Sequence, residues 1–252
     1  MASISDNDDH LLRARAADAE KLSDKTGTPR FVGFLDERER ALCASWLSYA
    51  ADRLCFYGGY DQAERTMLCV FPAGEQPQGT WAPLTALAFF YRKEKTLSHR
   101  DFLGTLMAAG IKRSAVGDIL CGEGLTVVFV HTDVLPFLQN EITCIGGEGV
   151  RLQADYAGPL PAAHRFIDVS DTVASPRLDC VVAALCRCSR SEASNFVTGG
   201  RVTLNFLLCE SVSTTVKSGD VLSVRGCGKF RITELENQTR KGRVILKAQK
   251  YA

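Results

Sequence analysis

Hydrophobic residues along this chain recur with a helical period in some stretches and a strand period in others, and each switch marks a new element. Leu11 to Leu22 is largely polar and reads as a helix that stops at the Gly27-Thr28-Pro29 break. Between Asp36 and Ala50, residues Ala41, Leu42, Ser45, Trp46 and Tyr49 share one helical face, and Asp36 is placed to cap it. Leu54 to Tyr57 and Met67 to Phe71 read as strands around the turn-forming Gly58-Gly59-Tyr60-Asp61. Three prolines and two glycines in Pro72 to Pro83 mark a linker, which closes a first α/β domain at about residue 75.

Residues 76–165 then repeat a simple order. Leu84 to Tyr91 is a strand, and Ser98 caps a helix carrying Phe102, Leu103, Leu106 and Met107 to Gly110. Asp118 to Cys121 and Leu125 to Val130 form a hairpin across Gly122-Glu123-Gly124. Thr132 caps a helix from Val134 to Ile142, and Val150 to Ala154 is the last strand. Strand, helix, strand, strand, helix, strand is the ferredoxin-like plait that RNA-recognition motifs share. Thr126 to Val130 lacks the base-stacking pattern of such motifs, so RNA contact here rests on Lys112, Arg113 and the Ser98-His99-Arg100-Asp101 turn, or those residues only face solvent.

The third segment, 170–252, opens with two short helices. Ser175 and Pro176 fit the N-cap and first helical position of one that carries Leu178, Val181, Val182 and Leu185. Ser189-Arg190-Ser191-Glu192 forms a capping box for the second, which stops at Gly199-Gly200. Four strands follow: Arg201 to Asn205, Val221 to Val224, Phe230 to Leu235 and Arg243 to Lys250.

Composition narrows the functional classes. The chain has 252 residues, 23% charged and 46% hydrophobic, with a net charge of +1, as in ordinary soluble globular proteins. The acidic start and the lack of any long apolar run exclude a signal peptide and a membrane span, which reads as a cytoplasmic location. Ten cysteines follow no framework spacing, and no pair completes a zinc site, so they read as buried thiols. The four histidines are scattered outside any nucleophile pattern, and no cofactor motif is present. The near-zero net charge hides an imbalance. Residues 1–169 hold 17 Lys/Arg against 22 Asp/Glu, while residues 170–252 hold 13 against 7. A basic end on an acidic body suits a polyanion, and nucleic acid is the leading partner.

Within that end, Arg187, Ser189, Arg190 and Ser191 cluster where helix amides carry partial positive charge, an arrangement suited to phosphate. Lys229 and Arg231 alternate with Phe230 and Ile232, which puts both charges on one face of a strand. Arg240, Lys241 and Arg243 extend the basic surface.

Ser175-Pro176-Arg177-Leu178-Asp179, Ser189-Arg190-Ser191-Glu192-Ala193, Gly200-Arg201-Val202 and Lys217-Ser218-Gly219-Asp220-Val221-Leu222-Ser223-Val224 resemble the S4 domain, an RNA-binding unit. Upstream, Phe34-Leu35-Asp36, Phe56-Tyr57-Gly58-Gly59-Tyr60, Glu64-Arg65, Pro83-Leu84-Thr85-Ala86-Leu87 and Leu97-Ser98-His99-Arg100-Asp101-Phe102-Leu103-Gly104 resemble the YlmH family of bacterial RNA-binding proteins. The likeness runs from about residue 30 to the end. It implies an α+β chain with an N-terminal α/β domain, a central ferredoxin-like (RRM-like) plait and a C-terminal S4 domain. It further implies binding to rRNA and tRNA on the large ribosomal subunit, and a role in rescuing stalled subunits that still hold peptidyl-tRNA. Carried over by position, Arg177, Ser189, Arg190, Ser191, Arg201, Arg225 and Lys229 face RNA. The chain departs from the S4 pattern at Cys186-Arg187-Cys188, where Gly and Leu are usual, and at Asn195-Phe196.

The resemblance implies no enzyme, cofactor or metal, and a monomer. An RNA-modifying enzyme of the pseudouridine synthase or methyltransferase kind is the rival, since Arg177-Leu178-Asp179 resembles a synthase motif with a nucleophilic aspartate. No catalytic domain accompanies it, and Gly146-Gly147-Glu148-Gly149 follows a helix where a methyltransferase needs a strand. A DNA-binding helix-turn-helix is the other rival, and the basic strands that follow the two helices argue against it.

Overall fold

The computed structural model describes residues 4–162, 166–238 and 242–251. The chain divides into two compact units, 1–163 and 164–252.

The first unit opens with α1 (Ile4–Thr26), β1 (Arg30–Leu35), α2 (Glu37–Trp46), β2 (Leu54–Tyr57) and β3 (Thr66–Val70). Helix α1 is longer at both ends than the apolar spacing suggests, and β1 was not foreseen because its continuous apolar run has no period. At α2, Asp36 accepts from the Glu39 amide while Glu39 accepts from the Asp36 amide, a complete capping box. The helix stops at Trp46 and a 3₁₀ turn, Ser48–Arg53, replaces its expected last turn. The antiparallel sheet has the order β1-β3-β2.

The unit continues with β4 (Leu84–Phe90), α3 (His99–Ala108), β5 (Val116–Cys121), β6 (Leu125–His131), α4 (Leu135–Glu141), the small hairpin β7 (Cys144–Ile145) and β8 (Glu148–Gly149), and β9 (Arg151–Gln153). The sheet order β5-β6-β4-β9, all antiparallel, is that of the ferredoxin-like plait. At α4 the expected Thr132 cap gives way to a 3₁₀ turn, Thr132–Val134, whose Asp133 amide donates to His131 Nδ1.

The two sheets are stacked. Strand β3 is buried on both sides: Leu68 and Val70 pack with Leu12, Ala16 and Cys43 of the helices, while Met67 and Cys69 pack with Ala88, Leu120, Val127 and Phe129 of the plait. The opposite face of the plait, with Leu87, Phe89, Val128 and Val130, packs on α3 and α4 through Phe102, Leu106 and Leu138. A clasp reinforces the stack. Asp118 on β5 accepts from the Tyr60 hydroxyl and the Glu64 amide, both at 2.8 Å, and from the Arg65 amide at 3.0 Å. Arg65 in turn donates to the Phe34 and Val116 carbonyls. Tyr60 stacks on Phe129 with ring centroids 5.1 Å apart, and Gly59, at φ +97°, leaves only 2.3 Å between a would-be Cβ and that ring. The boundary expected at residue 75 falls between two residues of this shared core, Phe71 and Ala82.

The second unit comprises β10 (Phe166–Val173), α5 (Leu178–Cys186), α6 (Arg190–Thr198), β11 (Val202–Leu204), β12 (Leu207–Leu208), β13 (Val221–Val224), β14 (Gly228–Gln238) and β15 (Val244–Tyr251). Its sheet has six strands in the order β10-β15-β14-β13-β11-β12, where four were expected. The expected start at residue 170 lies inside β10, which pairs with β15 along its length from Phe166↔Tyr251 to Val173↔Val244. Leu178, Val181, Val182 and Leu185 of α5 and Ala193 and Val197 of α6 cover one sheet face through Val202, Leu222, Val224, Phe230, Ile232, Leu246 and Ala248. All ten cysteines are free thiols; Cys43, Cys69 and Cys180 are buried, six are half-buried and Cys144 is exposed, so the expectation of buried thiols holds in part. No described helix is long and apolar enough to cross a membrane.

In an RNA-recognition motif, the face of β6 that carries Val127 and Phe129 would be the open platform for bases. Here Phe129 is 2% exposed. Phe129→Ala is expected to destabilise the first unit by about 3–5 kcal/mol in urea unfolding. Phe129→Leu, costing roughly 1 kcal/mol, is expected to leave RNA affinity unchanged in a filter-binding titration, which a base platform would not permit.

Candidate nucleic-acid interface

The interface is organised by one buried carboxylate. Helix α5 starts at Leu178 with Arg177 as its N-cap, two residues later than Ser175 and Pro176 suggested. The approach is held extended: the Pro176 carbonyl accepts from the Val216 amide, and the Leu178 amide donates to the Thr214 carbonyl, both at 2.8 Å. These distant partners satisfy groups that a local cap would otherwise serve. Asp179, 2% exposed, is thereby fixed in the first turn. Its Oδ2 accepts from Arg190 Nε at 2.8 Å, and its Oδ1 accepts from Arg177 Nε at 3.2 Å and from the Cys180 amide at 3.0 Å. Burial alone would raise this carboxyl group's pKa, but hydrogen bonds from Arg177 and Arg190 outweigh it and hold the group below the usual carboxylate range. Both arginine side chains are thus aimed while staying partly exposed, at 39% for Arg177 and 58% for Arg190.

Between α5 and α6, Arg187 takes left-handed backbone angles, φ 53° and ψ 46°, and its amide closes the helix onto the Ala183 and Ala184 carbonyls. Glycine is the usual residue at such a position. The Ser189 Oγ accepts from the Glu192 amide, which is half of the expected capping box; Ser191 is exposed on the first turn of α6. Arg187, Arg190 and Arg243 line one groove of about 610 Å³ between β10 and α5, together with Asp171, Thr172 and Cys188. Arg243 is seated there by donating to the Thr172 hydroxyl at 2.9 Å and to its carbonyl. A second pocket of about 410 Å³ also has Arg187 in its wall, facing Lys250, Gly226 and Cys227.

The other expected residues lie elsewhere on the unit. Arg201 stacks on Phe196 at 4.2 Å and donates to the Arg225 carbonyl at 2.7 Å, which ties it to the turn after β13. Lys229 and Arg231 do share a face, since Phe230 and Ile232, which alternate with them, are buried, but it is the sheet face turned away from α5 and α6. There Lys229 sits 4.5 Å from the Tyr251 ring and 5.4 Å from Phe206, and Arg231 sits 5.8 Å from Phe166. Arg240 and Lys241 lie outside the described residues. The ten described side chains of the expected set therefore do not form one surface. The sequence reading missed Lys250, although its register with Leu246 and Ala248 places a cation at the end of an inward-facing row. It also missed that Asp179 orients two arginines.

The same geometry bears on the rival reading of Asp179 as a nucleophile. Both carboxylate oxygens are occupied and the group is buried, so it cannot reach a base. Because the folded chain keeps Asp179 ionised below the ordinary value of 3.8, its contribution to stability is complete above that pH and is lost as pH falls further. Asp179→Asn is expected to cost on the order of 2–3 kcal/mol at neutral pH and to flatten the acid limb of a pH–stability profile measured by urea unfolding. Arg187→Gly is expected to raise stability by about 1 kcal/mol, because the left-handed angles no longer strain a side chain, while weakening RNA binding in the same preparation.

Comparison with known proteins agrees with this architecture. The family model described as "Putative RNA-binding domain in YlmH" matches residues 87–157, and the "S4 domain" model matches residues 176–222. The chain is 34% identical over 225 residues, 88% of each chain, to the Bacillus subtilis protein named "Ribosome-associated protein quality control protein P2". The structure of "Cell division protein ylmH from Streptococcus pneumoniae" superposes with a TM-score of 0.52 at 17% identity, covering 61% of this chain and 93% of that one, a likeness of fold. With one third of its residues shared over nearly its whole length, and with the two family models matching its plait and its S4 segment, this chain belongs to the YlmH family.

Proposed function

We propose that this protein binds folded RNA on the ribosome through its second unit, without catalysing a reaction. The observation that carries the reading is the convergence of Arg187, Arg190 and Arg243 on one groove. Arg187 keeps a charged side chain where the backbone favours glycine, and a local strain of this kind calls for a functional explanation. Arg190 is held by Asp179 and Arg243 by Thr172, so little side-chain entropy remains to be lost when phosphates arrive. Guanidinium groups gathered along one groove suit the backbone of a structured RNA, read by shape and charge.

The relative's name, with its reference to the ribosome and to quality control, supports a ribosomal partner; the RNA partners of this proposal are rRNA and tRNA on the large subunit. In that setting the protein acts as a cytoplasmic monomer on subunits stalled with peptidyl-tRNA.

Sedimentation of lysate through sucrose at low and high salt tests this. The protein is expected to comigrate with large subunits at low salt and to leave them as salt rises. With purified subunits, Arg187→Glu/Arg243→Glu is expected to make the log–log salt dependence shallower by roughly 1.4 to 1.8, at about 0.7 to 0.9 per lost phosphate contact. Unchanged comigration and slope in that variant would overturn the assignment of the groove.

A further inference from the structure

We infer that the first unit carries a second RNA site, a groove that holds one unpaired nucleotide. The inference rests on the RNA-binding reading and extends it to a surface of the first unit where, of the residues the sequence offered for RNA contact there, only Lys112 lies. A groove of about 470 Å³ lies where α1 and β1 meet the plait, at the ends of α3 and β6. Its apolar lining includes Phe31, Ile111 and Val134; its polar lining is Arg15, Lys112, Ser114 and His131, with Asp133 the one acidic side chain.

Each part matches one part of a nucleotide. Phe31 is half-buried: it packs against the core between the sheets and also lines the groove, so its ring is held rigidly beside the open space. A rigid aromatic wall is what an unpaired base stacks on. Arg15 and Lys112 are exposed and make no ion pair among the described residues, so their charges remain available for a phosphate. His131 accepts the Asp133 amide at Nδ1, which leaves Nε2–H as a donor. The close approach of the two parts is built in. A Cβ on Gly33 would lie 2.6 Å from the Ser114 carbonyl, so glycine lets β1 reach the plait and close one end of the groove. Arg15 and Phe31 come from the N-terminal elements and Lys112 and His131 from the plait, so neither part forms the site alone.

The test uses the full chain and fluorescence anisotropy with a labelled single-stranded oligoribonucleotide. Arg15→Glu/Lys112→Glu is expected to weaken binding about tenfold and to make the salt slope shallower by roughly 1.4, at about 0.7 per contact on single strands. Phe31→Leu keeps apolar packing but loses the stacking ring. It is expected to weaken binding about tenfold, as loss of one stacked base does, with the salt slope unchanged. Loss of binding in these variants but not in Arg187→Glu/Arg243→Glu would leave this site standing and remove the S4 groove. Unaltered binding in Arg15→Glu/Lys112→Glu and Phe31→Leu, or saturation by free AMP with no binding of the oligonucleotide, would overturn the inference.

Discussion

Two sheets packed face to face have no free inner surface, and in the first unit this constraint decides where a ligand can go. A plait has one face covered by helices and one left open, and here the open one is closed by β1, β3 and β2. The residues of β6 that could have been a base platform, Val127 and Phe129, are core. The price of that choice is met by rigidity: the Asp118 clasp and the Tyr60–Phe129 stack fix the two layers in one register. Polar contacts with a large partner must then come from edges and from the second unit.

The second unit solves a different problem, that of presenting several positive charges at once. Like charges on neighbouring elements repel, and long side chains lose entropy when ordered. Burying one carboxylate between two arginines addresses both, since Asp179 offsets repulsion and restricts the rotamers of Arg177 and Arg190. The groove carries charge that is already in place before a partner arrives.

How far the sequence disclosed all this depended on whether the deciding contact was local. The plait was legible because the β-branched and aromatic run Leu125 to Val130, helical spacing in Phe102 to Met107 and turn glycines all agree within a few residues. Strand β10 was missed because Asp168, Ser170 and Asp171 interrupt its pattern, and its pairing partner is the last strand of the chain. Ser175-Pro176 imitates a helix start, but backbone groups at Val212, Thr214 and Val216 decide where α5 begins. The motif residues Tyr60, Glu64 and Arg65 proved to be the structural clasp, which no spacing rule predicts. At the interface the basic character of the tail was legible from a count. That Arg243 would meet Arg187 and Arg190 while Lys229 and Arg231 faced away required the six-stranded sheet.

The pairing of β10 with β15 has a bearing on synthesis. The strand that begins the second unit remains an unpaired edge until the strand that ends it has been made, because residues 166–173 find their partner only at 244–251. Thr172 and Arg243, which seat one wall of the groove, are likewise brought together by that closing step. A nascent chain therefore carries its arginines for some time before it can arrange them, and the capacity to grip a polyanion appears late and all at once, as expected where distant segments must meet.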